Sequence, residues 1–294
     1  MTAADTAPLF LNSRWRDLIQ VAAPNDGRSL SYQHRNVLPK AGFHPLTTPH
    51  GHVLTGWEMS DHVWHRGLWF TIKFVNGDNF WEERPPFGVQ ASIAEPRVEA
   101  LAENTACISH EVRWDSPSQG TLLRESRKIK THLETDGVTV LDWSTTLRAE
   151  KDVALDRTPF TTWGGYGGLA FRAAREWHEA EFLLPDGRSV PEITGDPHSW
   201  VVLQGRMDGG ANERVSLGII DHPENPGSPV PWYAKSPQGF AFLNAAFLFH
   251  GPVSLAAGEN LHFRYRVFYR DGLWTASDFN ALAGAFRQGP HLAR

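Results

Sequence analysis

Five of the fourteen histidines fall within one short stretch: His44, His50, His52, His62 and His65. Imidazole is the one side chain whose ordinary pKa lies near neutrality, and it is the commonest metal ligand, so this density points to proton transfer or metal binding. The sharpest element is Asp61-His62-Val63-Trp64-His65-Arg66-Gly67. It offers His62 or His65 as a base, a carboxylate to orient it, and Arg66 as a cation for a developing oxyanion. On a regular strand His62 and His65 face opposite ways, so a site that uses both requires a loop or a helical turn. The plain alternative is a polar loop whose Asp and Arg satisfy backbone groups.

His50-Gly51-His52 has the i, i+2 spacing that places two imidazoles on one side of an extended strand. A divalent metal is therefore one reading, with His50, His52 and His62 as ligands, but no third donor is fixed by spacing, and the residues commit to no cofactor. His44, Glu82 and Glu83 are further donors within reach along the chain. Asn76-Gly77-Asp78-Asn79-Phe80-Trp81-Glu82-Glu83 is a turn leading to an aromatic and paired acids. Trp81 there would stack on the apolar face of a sugar ring while Glu82 moves a proton; the alternative is a hairpin with Trp81 in the core and both acids in water.

Thr161-Thr162-Trp163-Gly164-Gly165-Tyr166-Gly167-Gly168-Leu169-Ala170-Phe171-Arg172 surrounds a tyrosine with glycines. It lacks the lysine of a phosphate-binding loop, so the glycines serve a bulge or a close backbone approach, with Tyr166 and Arg172 projecting toward a ligand. Further on, Ile220-Asp221-His222-Pro223-Glu224-Asn225-Pro226 precedes Pro229, Pro231 and Trp232. His222 is a candidate distal partner of the first cluster, Asn225 and Trp232 are candidate ligand contacts, and the alternative is a histidine bonding its own turn. His44 and Trp69 complete the candidate binding residues. Gly-x-Ser-x-Gly, His-Glu-x-x-His and Cys-x-x-Cys are all missing, which removes several hydrolase, metalloprotease and redox classes.

The elements that must position these residues read mostly as strands. Leu122 to Leu147 is rich in Thr, Val, Ile and Leu around Asp136-Gly137, a tight-turn dipeptide, which predicts a hairpin. From Leu261 to Arg270 the residues Leu261, Phe263, Tyr265, Val267 and Tyr269 share one face of a long strand. Val215–Ile220 and Phe240–Phe249 read as further strands. Only the end looks helical, over 276–288, with Ser277 as cap, Phe279, Leu282, Ala283 and Phe286 at helix spacing, and Gly289 as terminator. One helix cannot cover so many strands, so sheet must pack on sheet: an all-β antiparallel sandwich or supersandwich with a short C-terminal helix.

With 294 residues, 41% of them hydrophobic, and no linker or internal repeat, a single domain over 1–294 is expected, residues 1–10 being a loose N-terminal segment. A net charge of -5 with interspersed signs supplies no basic stripe, so nucleic acid is not an expected partner. The amino terminus lacks a basic n-region and an apolar h-region, and no apolar run approaches a membrane span. With one cysteine, Cys107, no intrachain disulfide forms, and a soluble cytoplasmic protein is expected. Nothing in the sequence sets an oligomeric state.

Taken together, Phe43-His44-Pro45-Leu46 with Thr48-Pro49 and Gly51, then Asp61-His62, His65-Arg66-Gly67-Leu68-Trp69-Phe70, Val75-Asn76-Gly77 and Phe80-Trp81 resemble an uncharacterised bacterial family often called PmoA-like. Tyr166 to Arg172 and Asp221-His222-Pro223 with Asn225-Pro226, Pro231 and Trp232 are similar to it as well. The chain departs from that pattern at Ala41-Gly42 and at Val63-Trp64, where relatives often carry Arg-Pro and Pro-His. The family's name comes from a methane oxygenase subunit built of membrane helices, which this chain lacks; the resemblance implies instead a soluble protein encoded among sugar-catabolic genes. The length and the ending Leu255-Ala256-Ala257-Gly258-Glu259 before a long strand resemble galactose-mutarotase-like supersandwiches, which implies sugar binding on a concave sheet and His and acidic residues for proton transfer.

The leading expectation is a carbohydrate-active enzyme using acid-base chemistry on a sugar or keto-sugar derivative, of epimerase, lyase or hydrolase type. His62 or His65 would be the base, His222 or Glu82 the acid, Arg66 the oxyanion stabiliser, and Trp81 and Trp232 the ring platforms. Alternatives are a non-catalytic sugar-binding accessory protein and a metal-dependent oxygenase.

Overall fold

The computed structural model describes residues 9–13, 17–159, 164–209 and 213–288, and among these a single α-helix accompanies twenty-five strands. Two large sheets dominate, with every strand pair antiparallel. The first has nine strands in the order Phe10–Asn12, Leu18–Ala22, Ser29–Gln33, Gly42–Thr47, Leu68–Ile72, Gly167–Arg172, Phe242–Ala245, Pro231–Lys235 and Glu192–Pro197. The second runs Val89–Ser92, Thr105–Ser116, Gly120–Leu133, Thr139–Ala149, Asn260–Asp271, Arg214–Asp221, Trp200–Met207, Trp177–Leu183 and Ser189–Val190, with Arg97–Ala102 also paired to Thr105–Ser116.

Period-two alternation divides the side chains of each strand between two environments. In the first sheet Leu68, Phe70, Leu169, Phe171 and Leu243 enter the core between the sheets, where they meet Ile129, Trp143, Phe263, Tyr265 and Val267 of the second. The intervening Trp69, Ala170 and Phe242 point the other way and form a separate aromatic cluster on the outer face of the first sheet. On the outer face of the second sheet, Trp200, Val202, Ile220 and Phe268 are covered by Phe279, Ala283 and Phe286 of the helix Ala276–Gln288. Each large side chain so buried stabilises the fold by roughly 1.5–3 kcal/mol. The helix thus seals one outer face and leaves the other to carry an aromatic depression.

The expected sandwich, the Asp136-Gly137 hairpin and the long strand from Leu261 are all present. Two local expectations change. Phe240–Phe249 gives only the strand Phe242–Ala245, because the chain turns at 247–250. The helix is capped by Thr275 rather than Ser277: Asp278 donates its backbone N–H to Thr275 Oγ1 (3.2 Å), and Thr275 returns its own N–H to the Asp278 carboxylate (3.3 Å). Met1–Pro8, Thr161–Trp163 and Gly289 lie outside the described residues.

Candidate functional site

A pocket of about 550 Å³ opens on the outer face of the first sheet, with His62, His65, Tyr166, Tyr233, Phe240 and Phe242 among its walls. Its floor is built by strand alternation. Trp69 lies opposite Ala170 across the ladder, and Arg172 lies opposite Phe242, so all four face outward. Trp81 packs into the same cluster, its ring 5.6 Å from that of Trp69 and stacked at 4.7 Å beneath Tyr166.

His62 and His65 occupy one strand, His62–Arg66, yet their rings stack 4.6 Å apart at 18°. A bulge resolves the conflict with strand alternation: Met59 pairs with His62 and Trp57 with Arg66, so four steps along one strand oppose two along the other. Gly67 then lets the chain turn into Leu68–Ile72. Its φ is +66°, and a Cβ there would meet the Phe43 carbonyl oxygen at 2.1 Å. This turn brings the His65 ring to 5.1 Å from Trp69 and 5.2 Å from Phe242. Gly168 serves the expected close approach, at φ +104° with room for a Cβ denied by the Ala245 carbonyl oxygen at 2.3 Å.

His62 is one-third exposed, and its Nδ1 lies 3.2 Å from Asp61 Oδ2. Arg172, wholly buried, donates Nη2 to the same carboxylate oxygen at 2.7 Å. Burial pushes the Asp61 carboxyl up, but the Arg172 hydrogen bond and charge, together with His62, outweigh it and hold the group at about 2. Asp61 is therefore a permanent carboxylate that orients the His62 ring. Below it, His65 is forced well under its ordinary value by burial, reinforced by His62, Arg172 and Lys40, and so stays neutral. Burial, with a hydrogen bond to Tyr233, raises the Tyr166 hydroxyl and keeps it protonated. The pocket thus combines an oriented imidazole open to solvent, a protonated phenol and apolar ring faces.

Several predicted site residues lie elsewhere. Arg66, one step from His65, faces the opposite side, where its terminal nitrogens pair with Glu58 and Glu83 and it sits over Trp57; it lines no part of the pocket. Glu82 is bound to Lys73 and to Asn79, and although burial pushes its carboxyl up, Lys73 holds it below its ordinary range, the reverse of what a general acid needs. His222 packs on Phe286 of the helix and accepts the Glu224 N–H. Asn225 donates to Asp221 and to the Arg264 carbonyl, closing its own loop. Trp232 points into the inter-sheet core and donates to the His198 carbonyl. Trp69 and Trp81 are 0% and 1% exposed, so they support the floor rather than touch a ligand, and the ring faces available are those of Tyr166, Tyr233 and Phe240.

The histidine stretch disperses. His44 bonds Thr55 and stacks on Trp57 in a neighbouring crevice that also holds His52, while His50 faces Asp271 at 3.1 Å. No three His, Cys, Asp or Glu side chains among the described residues are grouped to hold a metal ion. Sequence reasoning missed Tyr233, Phe240 and Phe242. Trp232 drew attention as the larger ring, but alternation sends it to the core and its neighbour Tyr233 outward.

The buried histidines make stability depend on pH. His65 and His110 are both depressed by burial, His110 to about 2 with Arg127 adding to the effect. The unfolded chain takes up protons near pH ~6.5 that the folded state refuses, so this contribution is complete above ~6.5 and declines as pH falls. Each such group gives a slope of about 1.4 kcal/mol per pH unit. The urea midpoint is expected to drop from pH 7 to pH 5; an unchanged midpoint would mean that these rings accept protons in place.

A two-layer antiparallel β-sandwich with an aromatic, histidine-bearing depression on one outer face is the class that fold and site define. Within it the chain belongs to a family of unknown function, DUF6807, whose sequence pattern matches residues 21–284. No curated protein matches the sequence. Among solved structures, the GH36 α-galactosidase AgaB from Geobacillus stearothermophilus is 8% identical with a TM-score of 0.50, the match covering 90% of this chain and 41% of that one. The galactose mutarotase related enzyme from Lactobacillus acidophilus is 9% identical with a TM-score of 0.42, covering 89% and 97%. Heparan sulfate lyase HepC from Pedobacter heparinus is 10% identical with a TM-score of 0.43, covering 93% and 38%. The chain spans about two fifths of the α-galactosidase's length, and that likeness is one of fold. No helix among the described residues is long and apolar enough to cross a membrane.

Proposed function

We propose that this protein is a cytoplasmic carbohydrate-active enzyme that moves protons on a sugar or keto-sugar held in the outer-face pocket. The observation that carries this reading is the Asp61-oriented, solvent-facing His62 beside aromatic walls. His62 is the base, Asp61 fixes its ring, and the Tyr166 hydroxyl is the proton donor, while Tyr233 offers a face to the apolar side of a sugar ring. The resemblance to PmoA-like proteins, with its link to sugar-catabolic genes, agrees with such a substrate.

Within that class, proton abstraction next to a carbonyl, of epimerase or lyase type, fits better than hydrolysis. Glycosidases pair two carboxyl groups, one of them with a raised pKa. Here Asp61, behind His62, is held at about 2, and Glu192, the acid that lines the pocket, is exposed and paired with Lys235. The sugar-binding accessory reading is favoured by one observation, the mostly apolar surface of the pocket walls. Incubating the protein with aldoses, ketoses and keto-glycosides in deuterium oxide and following exchange or new products by NMR separates the two. Exchange at a carbon next to a carbonyl supports the enzyme; binding with every substrate unchanged would leave only the binding reading.

A further inference from the structure

The Arg172 guanidinium is wholly buried, yet only Nη2 is used, on Asp61; Nε and Nη1 have no hydrogen-bond partner among the described residues. Unpaired N–H groups on a buried cation are costly; Nε and Nη1 lie on different edges of the guanidinium, each shared with Nη2, and either edge can receive a carboxylate. Phe240 stacks on this guanidinium, its ring centre 3.9 Å from the central carbon and 5.5 Å from that of the His62 ring. Phe240 also lines the pocket. It therefore stands between the pocket and the cation. Charge here is unbalanced as well: Arg172 and the half-exposed Arg175, at 3.5 Å from Asp61 Oδ1, share one carboxylate. Lys235 and Glu192 cancel on the far rim.

We propose that the pocket selects sugars bearing a carboxylate, uronates or aldonates, with the carboxylate displacing Phe240 to pair with Arg172 next to His62. This rests on the carbohydrate reading above and narrows its substrate. The arrangement suits proton abstraction, because anchoring the carboxylate there holds the sugar's acid end beside the base.

Calorimetric titrations with D-glucuronate and D-galacturonate against D-glucose and D-galactose test it. Each uronate is expected to bind roughly tenfold or more tightly than its neutral counterpart, the scale of one charge-assisted contact, and to weaken as salt rises. Phe240→Ala, which uncovers the cation and keeps its charge, is expected to tighten uronate binding severalfold and to leave neutral sugars no tighter. Arg172→Gln is expected to abolish the preference. If neutral sugars bind as tightly as the uronates, the selectivity is wrong while the carbohydrate reading stands; if no sugar of either kind binds, both fall. Phe240→Ala decides the matter should Arg172→Gln not fold.

Discussion

Replacing His62 with alanine is expected to lower kcat/KM by about 10²–10⁴-fold, the usual contribution of a positioned acid-base group, with little change in stability. The second half of that expectation follows from place: His62 is one-third exposed and sits on the rim above His65 rather than inside the core. His65→Ala behaves differently, because His65 is 3% exposed between His62, Trp69 and Phe242 and its loss opens a cavity under the floor. The two variants distinguish a reacting group from a supporting one. Asp61 remains ionised across any ordinary assay range, so its titration does not set an acid limb of the rate profile. Turnover by folded His62→Ala at the wild-type rate would sink the assignment.

Arg127→Met is expected to destabilise the protein by about 3–5 kcal/mol, the cost of breaking a buried pair and stranding its partner. Glu125 is 0% exposed and accepts from Arg127 Nε at 2.7 Å, from Thr145 and from the Trp114 indole. Arg127 in turn donates to the Tyr32 hydroxyl at 2.8 Å, and that hydroxyl shares a hydrogen bond with His110 Nδ1, whose Nε2 meets Ser92. The chain ties the two sheets together, since Tyr32 belongs to the first and Glu125 and Arg127 to the second. Removing both charges as Glu125→Leu with Arg127→Met is expected to recover most of the loss, because no buried charge is then left unpaired. Denaturant midpoints measure this, and a single-variant cost below about 1 kcal/mol would show that water or a neighbour takes over the pairing.

Legibility in the sequence followed the range of the physics. Strand alternation and the Asp136-Gly137 turn are local signals, and they led to the right architecture. The Asp61-His62 pair was visible because its members are adjacent. Partners set by tertiary register were not. Arg172 joins Asp61 only because the strand Gly167–Arg172 pairs beside Leu68–Ile72, and His222 failed as a partner because its loop closes under the helix. Tryptophans misled for a related reason. Their large apolar area draws them to the core or the floor, so the rings left at the surface of the pocket are Tyr166, marked by its flanking glycines, and Tyr233 and Phe240, whose sequence surroundings carry no mark.

The bulge between His62 and Arg66 gives the site an unusual kind of constraint. The stacking of the two imidazoles depends on surplus chain length opposite Trp57–Met59, which decides how many residues intervene and constrains their number more than the type of a solvent-facing residue such as Val63. Families descended from such a site would show drift in the identity of the intervening pair together with a fixed count. A one-residue deletion there would rotate His62 away from His65 and break the site while leaving the sandwich intact.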